Sequence, residues 1–160
     1  MTDQVVALRL FISFILGGLI GLERQLHRRT AGLRTHILVS LGSCLIMLTS
    51  LYVFDIYKDK VAADPARIAA GIITGIGFLG AGTIIRSGEA VKGLTTAASL
   101  WLVSAVGMAV GCGFYKAGLL ATVFGLITLF FLRYVEDLFL KFAPVNKKEV
   151  TNGFREKTTG

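Results

Sequence analysis

The chain has 160 residues, of which 54% are apolar and only 17% charged, and its mean hydropathy is +0.70. A soluble domain carries about 25% charge, so this composition excludes both a conventional soluble enzyme and a disordered chain. The formal net charge of +7 would suggest nucleic acid in a soluble protein. Beside such apolar runs it points to a membrane surface instead, and no nucleic-acid partner is expected.

A helix needs about 20 mostly apolar residues to cross a hydrocarbon core. Five stretches reach or approach that length. The first, residues 5–22, carries one charge, Arg9, near its start. It begins Thr2-Asp3-Gln4 and ends Gly21-Leu22-Glu23-Arg24, without the basic start and small-residue cleavage site of a secretory signal, so it reads as a retained span. The second, 35–54, is uncharged. The third, 68–85, is uncharged and glycine-rich, and Asp64-Pro65 before it reads as a helix cap followed by a first-turn proline. The fourth, 93–115, has no charge, and the fifth, 117–132, is shorter but is extended past Arg133 by Tyr134 and Val135. Beyond it, Arg133, Asp137 and Lys141 recur every four residues, with Leu138, Phe139 and Phe142 on another face. That spacing predicts a short amphipathic helix over 133–143 along the bilayer surface. Pro144 closes it, and 144–160 reads as a disordered tail. The expected architecture is an all-α membrane protein with five transmembrane helices in a domain over residues 1–132.

Positive charge orients these spans. The segments 23–36, 86–92 and 133–160 fall on one side and hold 12 of the 17 cations; Lys58, Lys60, Arg67 and Lys116 fall on the other, with Arg9 near the boundary. The positive-inside rule therefore predicts an external N-terminus and a cytoplasmic C-terminus.

Few residues suggest chemistry. Cys44 and Cys112 fit no disulfide framework or metal spacing and read as small buried residues. His27 and His36 stand in or beside a basic segment, far from either cysteine. No catalytic triad, cysteine–histidine set or paired carboxylates lie within the spans, so neither an enzyme nor a cofactor is expected. Gly75, Gly77 and Gly80 match G-x-G-x-x-G, but no flanking strand or correctly spaced acid supports dinucleotide binding. Glycine lets helices approach closely where lipid gives no hydrophobic drive. The pairs Gly17/Gly21, Gly71/Gly75 and Gly107/Gly111 are G-x-x-x-G, and Gly80 and Gly82 add to the third span. These glycines suit packing within a bundle, a dimer face, or a helix broken at a binding site. At the span ends, Glu23-Arg24, Arg34-Thr35 and Arg86 suit ion pairing between helix ends or contact with a ligand or partner. Asp64 suits capping, or with Asp55 and Asp59 a hard cation such as Mg²⁺, though Lys58 and Lys60 dilute that signal. Thr95, Thr96 and Ser99 open the fourth span at spacings that can share a face, and their hydroxyls suit bonds to their own helix or to a neighbour.

Five pieces together resemble the MgtC/SapB family of bacterial inner-membrane proteins. They are Gly17-Gly-Leu-Ile-Gly-Leu-Glu-Arg24, Ala31-Gly-Leu-Arg-Thr35, Asp64-Pro-Ala-Arg-Ile-Ala-Ala70, Gly75-Ile-Gly-Phe-Leu-Gly-Ala-Gly82 and Gly93-Leu-Thr-Thr-Ala-Ala-Ser-Leu-Trp101, in family order over roughly residues 5–132. The resemblance implies a multi-pass protein of the bacterial inner membrane, linked to magnesium limitation, acid stress or intracellular survival. It implies a modulator that binds other membrane proteins, such as the proton-translocating ATP synthase; the glycine faces add self-association as a homodimer. The alternative it carries is a transporter, or transport accessory subunit, for Mg²⁺ or another cation. The motif positions it transfers are Glu23, Arg24, Arg34, Thr35, Asp64, Arg67, Thr95 and Thr96 together with the run Gly75 to Gly82. This chain has Thr95 where virulence-type members have Asn, and the soluble C-terminal domain that many members carry is not expected in it.

Overall fold

The computed structural model describes residues 1–60, 64–88 and 90–142, with the side chains of 132, 133 and 136–142 left aside. Five helices follow in chain order: α1 (Asp3–Leu26), α2 (Leu33–Tyr57), α3 (Pro65–Gly82), α4 (Leu94–Cys112) and α5 (Tyr115–Phe142). Between α3 and α4 lie two three-residue strands, β1 (Ile85–Ser87) and β2 (Ala90–Lys92), paired antiparallel with Ser87 opposite Ala90. The expected all-helical architecture holds in the five helices, and this short hairpin is an addition to it. The third apolar run was expected to stay helical through Ile85, but α3 ends at Gly82 and Ile85 begins a strand.

Among the described residues, four helices, α1 to α4, are long and apolar enough to cross a membrane. Among these residues the apolar stretch of α5 is Tyr115–Phe131, which corresponds to the fifth expected span. The helix itself continues to Phe142 without interruption. The amphipathic pattern expected over 133–143 rests on side chains outside the described set, and the tail 144–160 lies outside it altogether. The chain divides after Leu126: Met1–Leu126 packs as one unit, and the described part of the other is the continuation of α5.

Local chemistry sets the helix ends. Asp64 accepts a 2.8 Å bond from the Ala66 amide, and Pro65 follows where no amide is needed. Gly113 ends α4 in the left-handed region (φ +90°), and the Phe114 amide turns back to the Ala109 carbonyl at 2.8 Å. At the other end of α4, Gly93 (φ +93°) passes so close to Thr83 that an added Cβ would sit 1.9 Å from its carbonyl oxygen.

The interior of Met1–Leu126 is built around α2. Gly17 and Gly21 of α1 lie against Ser40, His36 and Leu33, and Gly107 and Gly111 of α4 lie against the backbone of Ser40 and Cys44. One apolar cluster joins Leu16, Cys44, Leu48, Val106 and Val110, and a second joins Ala31, Ile76 and Leu100. Serines fill much of the remaining interior, with Ser13, Ser40, Ser43, Ser50, Ser99 and Ser104 all buried. Large apolar side chains such as Phe11, Leu38, Phe78, Trp101 and Phe124 face outward. That distribution fits lipid as solvent: apolar groups gain nothing by leaving it, whereas hydroxyls need protein partners.

Candidate functional site

The buried hydroxyls form cross-helix pairs. Ser40 donates to the Ser13 carbonyl at 2.9 Å, and its single proton is then used, so the 2.8 Å contact between the two hydroxyls has Ser13 as donor. Ser43 and Ser104 lie 2.9 Å apart and join α2 to α4. Nearer the start of α2, Nδ1 of His36 lies 2.9 Å from the Gly32 carbonyl, which can only accept, so this nitrogen carries a proton. Nε2 faces the Ser99 hydroxyl at 3.0 Å, and Ser99 is 2.8 Å from the Thr96 carbonyl. A neutral ring must take the Ser99 proton from Thr96, whereas a cationic ring lets both bonds stand. Thr96 also receives a 3.5 Å contact from Thr30.

At the end of α1, Glu23 and Arg24 are each only 2% exposed. Arg24 holds both carboxylate oxygens, Nε to Oε2 and Nη2 to Oε1 at 2.7 Å. Nδ1 of His27 lies 2.9 Å from Oε1 and from the Glu23 carbonyl. The carboxylate is therefore satisfied by its own helix. At the opposite end of the same helix, Arg9 donates to the Gly111 carbonyl at 2.7 Å and to the Tyr115 hydroxyl at 3.3 Å, placing a cation at the C-terminus of α4.

The remaining sequence-derived candidates do not converge on one site. Arg34 and Thr35 are exposed at the start of α2. Asp64 caps α3, Arg67 is exposed, and Asp55 pairs with Lys58 at 2.8 Å. Among the described residues no three acidic, histidine or cysteine side chains gather where a metal could bind. Thr95 is exposed while Thr96 is buried.

The glycines divide into two sets. Gly107 and Gly111 are taken up inside the bundle, and Gly80 faces Ala97, where an added Cβ would sit 3.7 Å away. At Gly71, Gly75, Gly77 and Gly82 an added Cβ would meet nothing within 4 Å. Gly71 and Gly75 line a lateral cleft of about 550 Å³ between α2 and α3, with Ile72, Ile76 and Leu79 on the same wall. Gly42, Leu38, Val39 and Ile46 form the facing wall, Ser43 and Ser104 the floor, and Arg34 and Thr35 one end. Gly77 lies elsewhere on α3. At about 100° per residue, Ala70, Thr74, Gly77 and Ala81 share one stripe, about 125° round the helix from the buried Ala69, Ile72, Ile76 and Gly80. All four are exposed, beside Phe78 at 83%. Sequence reasoning missed Ala70, Thr74 and Ala81; the signal was available in the small-x-x-x-small pairs Ala70/Thr74 and Gly77/Ala81.

Comparison with known proteins accounts for this arrangement of motifs. The MgtC family profile matches residues 10–138. The chain belongs to the MgtC family. It is 46% identical over 131 residues to the Escherichia coli K12 protein named "Putative magnesium transporter YhiD", covering 81% of this chain and 60% of that protein. It is 40% identical over 137 residues to protein SapB of Bacillus subtilis, covering 83% of this chain and 59% of SapB. It is 47% identical over 114 residues to protein MgtC of Brucella abortus, covering 70% of this chain and 44% of that protein. The chain thus spans roughly half of the length of these relatives. No solved structure matches it. Family membership and four apolar helices of spanning length make this a multi-pass membrane protein in contact with the lipid bilayer.

Proposed function

We propose that this protein acts by lateral contact with another membrane protein, in adaptation to magnesium limitation or acid stress, and that it resides in the bacterial inner membrane with its C-terminus in the cytoplasm. The observation that carries the reading is the outward side of α3, where Ala70, Thr74, Gly77 and Ala81 form an exposed stripe of small residues. Small residues facing lipid offer little to acyl chains, yet they let a partner helix approach closely enough for backbone-level packing. The other glycine faces are less available, because Gly17, Gly21, Gly107 and Gly111 are occupied within the bundle. Site-directed photocrosslinking in cells tests the reading. Probes along the stripe should capture a partner or a second copy, and Gly77→Leu should abolish capture at unchanged membrane insertion. Capture that survives Gly77→Leu and Ala81→Leu together would sink it.

A second reading, Mg²⁺ transport, is favoured by the name of the Escherichia coli relative. Against it, the charged group on the α2–α3 cleft is Arg34, of the wrong sign for a cation path. Protein-dependent Mg²⁺ flux into liposomes that is lost on Asp64→Ala would favour transport over lateral contact.

A further inference from the structure

We propose that the cleft between α2 and α3 is a binding site for one acyl chain of an anionic phospholipid, with the lipid phosphate at Arg34. The inference does not depend on the partner contact above, which uses the opposite flank of α3.

The lining separates by depth. Leu38, Val39, Ile46, Ile72, Ile76 and Leu79 present hydrocarbon along the walls. The two hydroxyls on the floor, Ser43 and Ser104, bond each other at 2.9 Å, so the deep part asks for no polar ligand atom. Polar demand is confined to one end. Arg34 is exposed there and has no ion-pair partner among the described residues, with the Thr35 hydroxyl beside it. An occupant that is apolar along its length and anionic at one extremity satisfies both parts.

Length points the same way. From Arg34 to Ile46 along α2 is about 18 Å at a rise of about 1.5 Å per residue. One leaflet contributes about half of a hydrocarbon core about 30 Å thick. The cleft therefore runs from headgroup level to just past the bilayer centre, the reach of a single chain from the leaflet on the Arg34 side. The absence of side chains at Gly42, Gly71 and Gly75 keeps the channel open, since a Cβ at each would project into free space rather than against protein. A basic group at the headgroup end of an interhelical groove is the arrangement that recognises acidic lipid heads.

The test uses the full chain in detergent with equimolar phosphatidylglycerol and phosphatidylcholine of matched acyl chains, and bound lipid is read by native mass spectrometry. The wild type should retain phosphatidylglycerol over phosphatidylcholine by about fivefold, the discrimination that one arginine at a lipid surface supplies. Arg34→Gln, an exposed change, should erase the preference and leave both lipids weakly bound. Gly75→Leu should fill the channel and remove the lipid adduct, whereas Gly77→Leu should keep it. An undiminished preference in Arg34→Gln, an adduct that survives Gly75→Leu, or a lipid-free dimer broken by Gly75→Leu would each overturn the assignment.

Discussion

Ser40 stands where three helices meet. Gly17 of α1 and Gly107 of α4 both press on it, and its hydroxyl is bound to Ser13. An added Cβ at Gly107 would lie 2.2 Å from the Ser40 carbonyl oxygen, and backbone cannot rotate aside as a flexible side chain can. Gly107→Ala is therefore expected to cost at least the ~1–3 kcal/mol of a typical overpacked core, read as a lowered thermal midpoint in detergent. Gly42→Ala, directed into open space, should leave that midpoint unchanged or raise it. Arg9→Met removes a charge-assisted bond to Gly111 and a contact with Tyr115, and an expected loss of about 1.5–3 kcal/mol follows. The His36–Ser99–Thr96 chain was not legible beforehand. His36 stands among basic residues in the sequence, and only the packing of α2 on α4 brings Ser99 to its ring.

At the scale of the element, α3 is the informative helix. Its start was legible residue by residue, because Asp64-Pro65 is a chemical instruction independent of tertiary context, and the Ala66 amide obeys it. Asp64→Ala should lower stability by about 1 kcal/mol; a loss much larger than that, restored by added Mg²⁺, would show a metal role that capping does not supply. The end of α3 was less legible. The apolar run continues through Ile85, and hydropathy alone cannot tell a helix from the short hairpin that follows. The three G-x-x-x-G pairs looked alike in sequence, yet two were consumed inside the bundle and Gly71/Gly75 opened onto the cleft. The reason is physical: these helices are apolar on most faces, so periodicity cannot show which side turns inward.

At the scale of the whole molecule, the expected orientation rests on the uneven distribution of cations. It predicts that, in a Cys112→Ser background, a membrane-impermeant maleimide reaches Lys58→Cys in spheroplasts and fails to reach Arg86→Cys. The reverse pattern would invert the topology. Within the described residues serines and glycines share the interior with the aliphatic clusters, while large apolar side chains such as Phe11, Leu38, Phe78 and Trp101 lie outside. Composition announced the solvent but not this partition, since a serine in an apolar run fits an inward or an outward position equally well until its partner is known.

Short-range chemistry and bulk hydropathy were determined by the chain itself: the apolar rods, their caps, the charge asymmetry and the family motifs all follow from neighbours in sequence. Tertiary structure decided which small residues are spent. In lipid, helices gain no hydrophobic reward for association and come together through close backbone approach and cross-helix hydroxyl bonds. Both depend on the rotation of one helix against another, which no single segment encodes.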